Sequence, residues 1–321
     1  MDGQPEQASA ADRGEPELSV IVGERRQLLN LAYRLLGSLA DAEDVVQETY
    51  TRWYAMTPSR QRAVDSPRAW LTKVAGRICL DQLRSARARR ERYVGAWIPE
   101  PVPDASEWPA AGRSTDRTAD PADRVTLDES VNMAFLVVLD AMTPAERVAF
   151  VLHDVFRYSF AEVAEIVGRT PAACRKLASS ARARLRTNRP SVPPSAPPSR
   201  SERARQADVV RQFKRAWEAK DVPALVGLLD PDATGIADGG GLVTARLDPM
   251  LGGVEIAEYL TAVSVGAADR EILERTVNGQ PGLVVQDGGV TTVVMAFEIG
   301  DHGRITRLWA VRNPEKLRAW T

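Results

Sequence analysis

The 321-residue sequence predicts a multidomain chain: two all-α helical domains followed by an α+β domain with a curved antiparallel sheet. Three observations predict this. Apolar residues recur at helical spacing from Glu24 to about Tyr93, and again from about Leu127 to Arg186. Two stretches, GAWIPEPVPDASEWPAAGRSTDRTADPAD and RPSVPPSAPPSRS, are rich in Pro, Ser, Asp and Gly and interrupt that spacing. Beyond them the runs GLVVQ, VTTVVMAFEI and ITRLWAVRN are β-branched and punctuated by DGG and GDHG. The expected boundaries are a disordered tail at 1–22, a helical domain at 23–95, a linker at 96–125, a second helical domain at 126–188, a second linker at 189–203 and the α+β domain at 204–321.

In the first helical domain Leu28, Leu31, Ala32, Leu35 and Leu39 share a face, and Gly37 ends that helix. Asp41 is expected to cap a second helix, with Asp44 three residues on and Val45, Val46, Thr49, Tyr50 and Trp53 following. TPS at 57–59 marks a turn, and a third helix starts near Arg68. It ends in a basic run, Arg84, Arg87, Arg89, Arg90 and Arg92. A solvated helix end stabilised by the C-terminal dipole would explain such a run on its own; beside a DNA-reading motif it suits phosphates.

That motif is SFAEVAEIVGRTPAACRKLASSARARLR in the second helical domain. Val163, Ile166 and Val167 line a first helix, Gly168 makes the turn, Thr170 caps, and Pro171 takes the first position of a second helix. On that second helix Leu177, Ala181 and Leu185 share a face, opposite Arg175, Ser179, Arg182 and Arg186, with Lys176 to one side. No acidic residue occurs from Arg169 to Arg189, so a basic, groove-facing helix hides within a neutral total. An exposed basic helix on an ordinary bundle is the alternative.

Composition narrows the rest. Lys and Arg number 42 against 43 Asp and Glu, a net charge of −1 that identifies no partner. Two cysteines far apart and two histidines argue against a disulfide framework or a zinc site. No cofactor and no metal are expected. No apolar run approaches a membrane span and the polar N-terminus is no signal peptide, so a cytoplasmic chain with no membrane contact is expected.

The α+β domain opens with an amphipathic helix at 204–220, then the glycine run ADGGGLVTA at 237–245, then a short helix near Gly253–Val263. The run lacks the Lys and following helix of a phosphate loop, which leaves a strand end or turn. Asp232, Asp238, Asp248, Glu298, Asp301 and His302 are the groups an acid–base enzyme would draw on. No paired motif among them requires catalysis, and Asp301-His302-Gly303 reads as a hairpin turn. No catalytic residue is assigned.

AYRLLGSLADAEDVVQETYTRWY and SPRAWLTKVAGRICLDQLRSARARRER resemble conserved region 2 of extracytoplasmic-function sigma factors. LDAMTPAERVAFVLHDVFRYSFAEVAEIVGRTPAACRKLASSARARLR resembles their region 4, and together the blocks span 24–188. The C-terminal part is similar to the SnoaL-like (NTF2-like) cone. WIPEP (97–101), DGGG (238–241) and NPEKL (313–317) resemble marks of the sigma-factor group carrying that domain.

The resemblance implies partners: core RNA polymerase, through its β′ clamp helices and β flap, and the −10 and −35 promoter elements. It assigns polymerase binding to Asp41, Glu43, Asp44, Gln47 and Glu48. DNA binding falls to Arg68, Lys73, Arg77, Arg84 and Arg87 in region 2, and to Arg169, Thr170, Arg175, Lys176, Ser179 and Arg182 in region 4. Loop 57–67 matches the segment that holds an unstacked −10 base. A regulatory intrachain contact is implied for Trp97, Pro99, Glu100 and Pro101, for Asp238, Gly239, Gly240 and Gly241, and for Asn313, Pro314, Glu315, Lys316 and Leu317. The alternatives at this point are a C-terminal cone that senses an unknown small ligand or keeps residual enzyme activity, and a stand-alone helix-turn-helix regulator.

Overall fold

The computed structural model describes residues 23–90, 93–104, 132–187, 199–263 and 270–320, with the backbone alone for 86–90. The expected tail and most of both linkers lie outside the described residues.

Four helices build the first unit: α1 (Arg25–Leu36), α2 (Leu39–Tyr54), α3 (Pro58–Arg62) and α4 (Pro67–Arg90). Gly37 closes α1 at φ 72°, where its N–H reaches the Tyr33 carbonyl. The cap of α2 is Ser38 rather than the expected Asp41: the Ser38 hydroxyl accepts from Asp41 N–H. Asp41 instead lies in the first turn, where its charge still favours the helix dipole. The expected turn at 57–59 opens the short α3, whose Pro58 occupies a first-turn position.

The second unit runs through α5 (Met133–Asp140), α6 (Pro144–Phe150), a π-helical turn (Val151–Val155), α7 (Phe160–Val167) and α8 (Pro171–Thr187). Capping boxes at Thr143/Glu146 and Ser159/Glu162 start α6 and α7. Gly168 at φ 71° ends α7, and the Thr170 hydroxyl accepts from Ala173 N–H at 3.2 Å to start α8.

The two units share one core. Leu71, Ala75 and Cys79 of α4 belong to the same buried cluster as Val148, Leu152 and Ile166. Gly76 permits this approach, because a Cβ there would sit 2.9 Å from Ile166 Cγ2. Polar bonds cross the seam: Tyr158 donates to Thr72 Oγ1 at 2.8 Å, and Arg147 donates to the buried Leu35 carbonyl at 2.8 Å while pairing within its own unit with Asp140 at 2.7 Å.

The third unit comprises α9 (Arg200–Glu218), α10 (Val222–Leu228), β1 (Leu229–Asp238), β2 (Met250–Leu251), α11 (Gly253–Val263), β3 (Arg270–Val277), β4 (Gln280–Asp287), β5 (Val290–Ile299) and β6 (Ile305–Val311). Two 3₁₀ turns, Pro314–Lys316 and Arg318–Trp320, end the described chain. The sheet order is β2-β1-β6-β5-β4-β3. It is mixed, not antiparallel throughout: β1 runs parallel to β6 while the other neighbours are antiparallel. β1 enters beside the last strand only after α11 and the β3–β5 meander have intervened, and a connection of that length suits parallel pairing.

Strands β4 to β6 read as near-continuous apolar runs because both sheet faces are covered. Met295 and Phe297 meet Phe213 and Trp217 of α9 and Ile256 and Leu260 of α11. The alternate residues Val294 and Ala296, with Trp309 and Val311, meet Ile98, Met133, Leu317 and Trp320. Helix α5, MAFLVVLD, is apolar all round for the same reason. Phe135, Leu136 and Leu139 enter the helical core, whereas Met133, Ala134 and Val137 face the sheet core.

Candidate polymerase and promoter surfaces and the interdomain junction

Helix α2 separates its residues cleanly. Ala42, Val45, Val46, Thr49 and Trp53 are buried. Asp41, Glu43, Asp44, Gln47 and Glu48 all face solvent and form a predominantly acidic stripe suited to a basic helical partner. Glu48 is tied within that stripe to Arg52 at 2.8 Å.

The basic residues are less free. Arg68 pairs with Glu24 at 3.3 Å and also bonds Gln27. Lys73 meets Glu165 of α7 at 2.5 Å, and Arg77 donates to the Glu165 carbonyl at 2.9 Å. The hydrogen bond and charge of Lys73 hold the Glu165 carboxyl below the usual carboxylate range. Arg84 pairs with Asp81 at 3.3 Å, and the Arg87 side chain lies outside the described residues. Arg169 and Thr170, just before α8, and Arg175, Lys176 and Ser179 on it are exposed. Arg175 lies over the Phe160 ring at 5.5 Å. Arg182 does not stand free on the outer face: its guanidinium grips Asp154 at 2.8 and 3.1 Å.

The three short motifs converge on Asp238, the last residue of β1, which is 1% exposed. Its Oδ1 accepts from Tyr93 OH at 2.6 Å and from Gly240 N–H at 3.0 Å. Its Oδ2 accepts from Ile98 N–H at 2.9 Å and from Lys316 Nζ at 2.7 Å. Lys316 also donates to the Ile98 carbonyl at 2.5 Å and lies over the rings of Trp97 (4.3 Å) and Tyr93 (5.0 Å). Asn313 donates to Tyr93 Oη at 2.9 Å. Burial, then the Asp238 bond, pushes the Tyr93 phenol far up, so it stays a donor.

The glycines permit this closeness. A Cβ on Gly240 (φ 64°) would lie 2.3 Å from Asn313 Nδ2, and one on Gly239 2.4 Å from the Val243 carbonyl oxygen. Gly241 (φ 73°) abuts Val94.

Residues 97–102, expected within a linker, are an ordered extended strip. Ile98 to Val102 are buried, and Pro103 bridges to Val277. Glu100 turns toward region 2, where its carboxylate accepts from Leu39 N–H at 2.8 Å, at the N-terminus of α2. Burial raises its pKa, against hydrogen bonds from Leu39, Ser38 and Ala40 and the charge of Lys316. Trp320 donates to the Pro101 carbonyl at 2.8 Å. Of the remaining NPEKL residues, Leu317 is buried in the sheet core, Pro314 and Glu315 are exposed, and the Glu315 N–H caps onto Asn313 Oδ1 at 3.0 Å. A cleft of about 350 Å³ opens alongside, with Asp41 and Gln82 on one wall and Glu315 and Arg318 on the other.

Asp232, Asp248, Asp301 and His302 are exposed, and Glu298 pairs with Arg307 at 3.2 Å. One face of the sheet is covered by Phe213, Trp217, Ile256 and Leu260.

Tyr33, Tyr93, Glu165, Asn278 and Trp320 escaped the sequence reading. Only Asn278-Gly279, a two-residue hairpin signal between β-branched runs, carried a local cue.

Two helical units with an acidic and a basic helix face, joined to an α+β cone by an ordered strip, define a promoter-specificity subunit of RNA polymerase. Residues 21–89 match Sigma-70 region 2, and residues 132–185 match Sigma-70, region 4. The chain belongs to the extracytoplasmic-function (ECF) family of RNA polymerase sigma factors. It is 35% identical to ECF RNA polymerase sigma factor SigJ of Mycobacterium tuberculosis over 314 residues, covering 94% of this chain and 93% of the relative. It is 33% identical to probable ECF RNA polymerase sigma factor SigI of that organism over 294 residues, covering 91% and 92%. The crystal structure of M. tuberculosis SigJ superposes with a TM-score of 0.69 at 32% identity, covering 94% of this chain and 98% of that one. The likeness therefore includes the C-terminal SnoaL-like domain.

Proposed function

We propose that the C-terminal domain modulates promoter recognition by regions 2 and 4 through intrachain contact, in place of a separate anti-sigma protein. The observation that carries this reading is Asp238, whose four hydrogen bonds draw the linker (Tyr93, Ile98), the glycine turn (Gly240) and the C-terminal turn (Lys316) onto one buried carboxylate.

In this reading the exposed acidic face of α2 docks the polymerase β′ clamp helices, and region 4 meets the β flap. Arg68, Lys73, Arg77, Arg84 and Arg87 serve the −10 element, and Arg169, Thr170, Arg175, Lys176, Ser179 and Arg182 serve the −35 element. The chain acts in the cytoplasm without catalysis of its own. One fact supports closure as the off state: Arg318 and Glu315 of the C-terminal domain share a cleft with Asp41. The hold of Glu165 on Lys73 and Arg77 is a separate contact, between regions 4 and 2.

Reconstituted transcription tests this. Core polymerase is combined with the full chain, the chain cut within 189–201, Asp238→Ala, or a deletion of 313–317. Altered promoter-dependent output is expected from the first two changes, with a smaller change for the deletion. Unchanged output from all three would overturn the reading.

A further inference from the structure

The hairpin turn between β3 and β4 performs a task that a turn does not require. Asn278 sits at φ 50°, followed by Gly279 at φ 71°, the conformation that favours Asn-Gly in tight hairpins. Such turns ordinarily face water, whereas Asn278 is 4% exposed and both its amide oxygen and its amide nitrogen are hydrogen-bonded. Its backbone N–H donates to the Val102 carbonyl at 2.9 Å, and its Oδ1 accepts from Val102 N–H at 3.2 Å. Its Nδ2 donates to Tyr33 Oη at 2.8 Å. Tyr33, on α1 of region 2, is fully buried and donates in turn to the Glu100 carbonyl at 2.6 Å. Glu100 N–H donates to the Gly37 carbonyl at 2.8 Å, and its carboxylate takes Leu39 N–H at the start of α2.

We propose that the Asn278 turn is a second latch between the C-terminal domain and region 2, separate from Asp238, and that it positions the polymerase-facing helix α2 through Tyr33 and Glu100. β1, which ends in Asp238, and β4, which follows the turn, lie three strand spacings apart, about 14 Å. Their direct hydrogen-bond partners are different residues. The links among Asn278, Val102, Tyr33 and Glu100 are direct hydrogen bonds between buried groups, so losing one partner strands another without water; the last link, to Leu39 N–H, is part-buried. Asn278 and Tyr33 are positioning residues: neither faces the exposed acidic stripe. The regulatory half of this proposal rests on the reading that the C-terminal domain modulates regions 2 and 4.

Two variants isolate the contact. Asn278→Gly keeps the left-handed backbone and removes only the amide, and Tyr33→Phe keeps the ring and removes only the hydroxyl. Amide hydrogen exchange over 37–41 and 98–103 is followed in the full chain, alongside reconstituted transcription and urea unfolding to confirm the fold. Each variant is expected to speed exchange in both segments roughly five- to tenfold and to shift transcription in the direction of Asp238→Ala. Unchanged exchange over 37–41 in folded Asn278→Gly and Tyr33→Phe overturns the latch. Faster exchange with unaltered transcription also overturns it, because the contact would then be structural only. If Asp238→Ala and the cut chain leave transcription unchanged, the modulation reading fails instead, and exchange over 37–41 still decides whether the turn positions α2.

Discussion

The Asp238 carboxylate and the Lys316 ammonium form a buried ion pair at 2.7 Å, with side chains 0% and 12% exposed, between residues 78 apart in sequence. Removing one member of such a pair leaves the other charged in a poorly hydrated site, at a cost of about 3–5 kcal/mol. Asp238→Ala is therefore expected to weaken docking of the 93–104 strip by that order, read by urea unfolding and by protease cleavage within the strip. Asp238→Ala combined with Lys316→Met should cost less than the sum of the single changes. A strictly additive pair would refute the coupling.

Glycines 240 and 288 both hold positive φ, at 64° and 57°, but only the first is crowded. An added Cβ meets Asn313 Nδ2 at 2.3 Å at position 240 and nothing within 4 Å at position 288. Gly288→Ala should cost about 1–2 kcal/mol for backbone strain. Gly240→Ala carries that strain plus displacement of Asn313, so its thermal midpoint should fall further. Equal losses would show that the glycine run serves backbone conformation alone.

Glu165→Gln removes the charge opposite Lys73 while leaving the backbone carbonyl that Arg77 uses. Stability should hold, because both side chains are solvent-accessible. Affinity for promoter DNA should rise. The slope of log affinity against log salt should steepen by about 0.9, for one cation released to a phosphate. A slope indistinguishable from wild type would remove Lys73 from the DNA-binding set.

The buried Glu100 carboxyl gives a pH signature. Its folded pKa is raised above the ordinary 4.5, so the folded chain keeps this proton after the unfolded chain has released it. This contribution to stability is fully present below 4.5 and is lost as pH rises through the raised value. Glu100→Gln keeps an acceptor for Leu39 N–H and does not titrate. Urea unfolding from pH 4.5 toward neutrality should show wild type losing stability relative to Glu100→Gln; parallel curves would contradict the assigned burial.

Local chemistry made much of this legible. Gly37, Gly168, Thr170 and Pro171 each act within a few residues of the helix end they set, so those ends could be read directly. Where two local signals competed, the reading slipped: Asp41 resembled a cap, but Ser38 lay at the true start of α2. Strands β1 and β3 were missed because LDPDATGIAD opens with turn-forming residues and REILERTV carries four charges, although β3 pairs along its length and β1 pairs at Leu229 and from Thr234 to Asp238.

The sequence by itself determined the helices of regions 2 and 4, the acidic face of α2, the basic character of α8, and a C-terminal part of a different fold class. Those follow from spacing and residue type over a turn or two of chain. Tertiary structure decided the parallel pairing of β1 with β6, the shared core of the two helical units, and the masking of Lys73 and Arg77 by Glu165. It also turned WIPEP from a linker composition into a buried strip held by Asp238 on one side and Asn278 on the other. Each of these joins groups tens to hundreds of residues apart, and which pairs meet depends on how the sheet and helices pack rather than on any local preference.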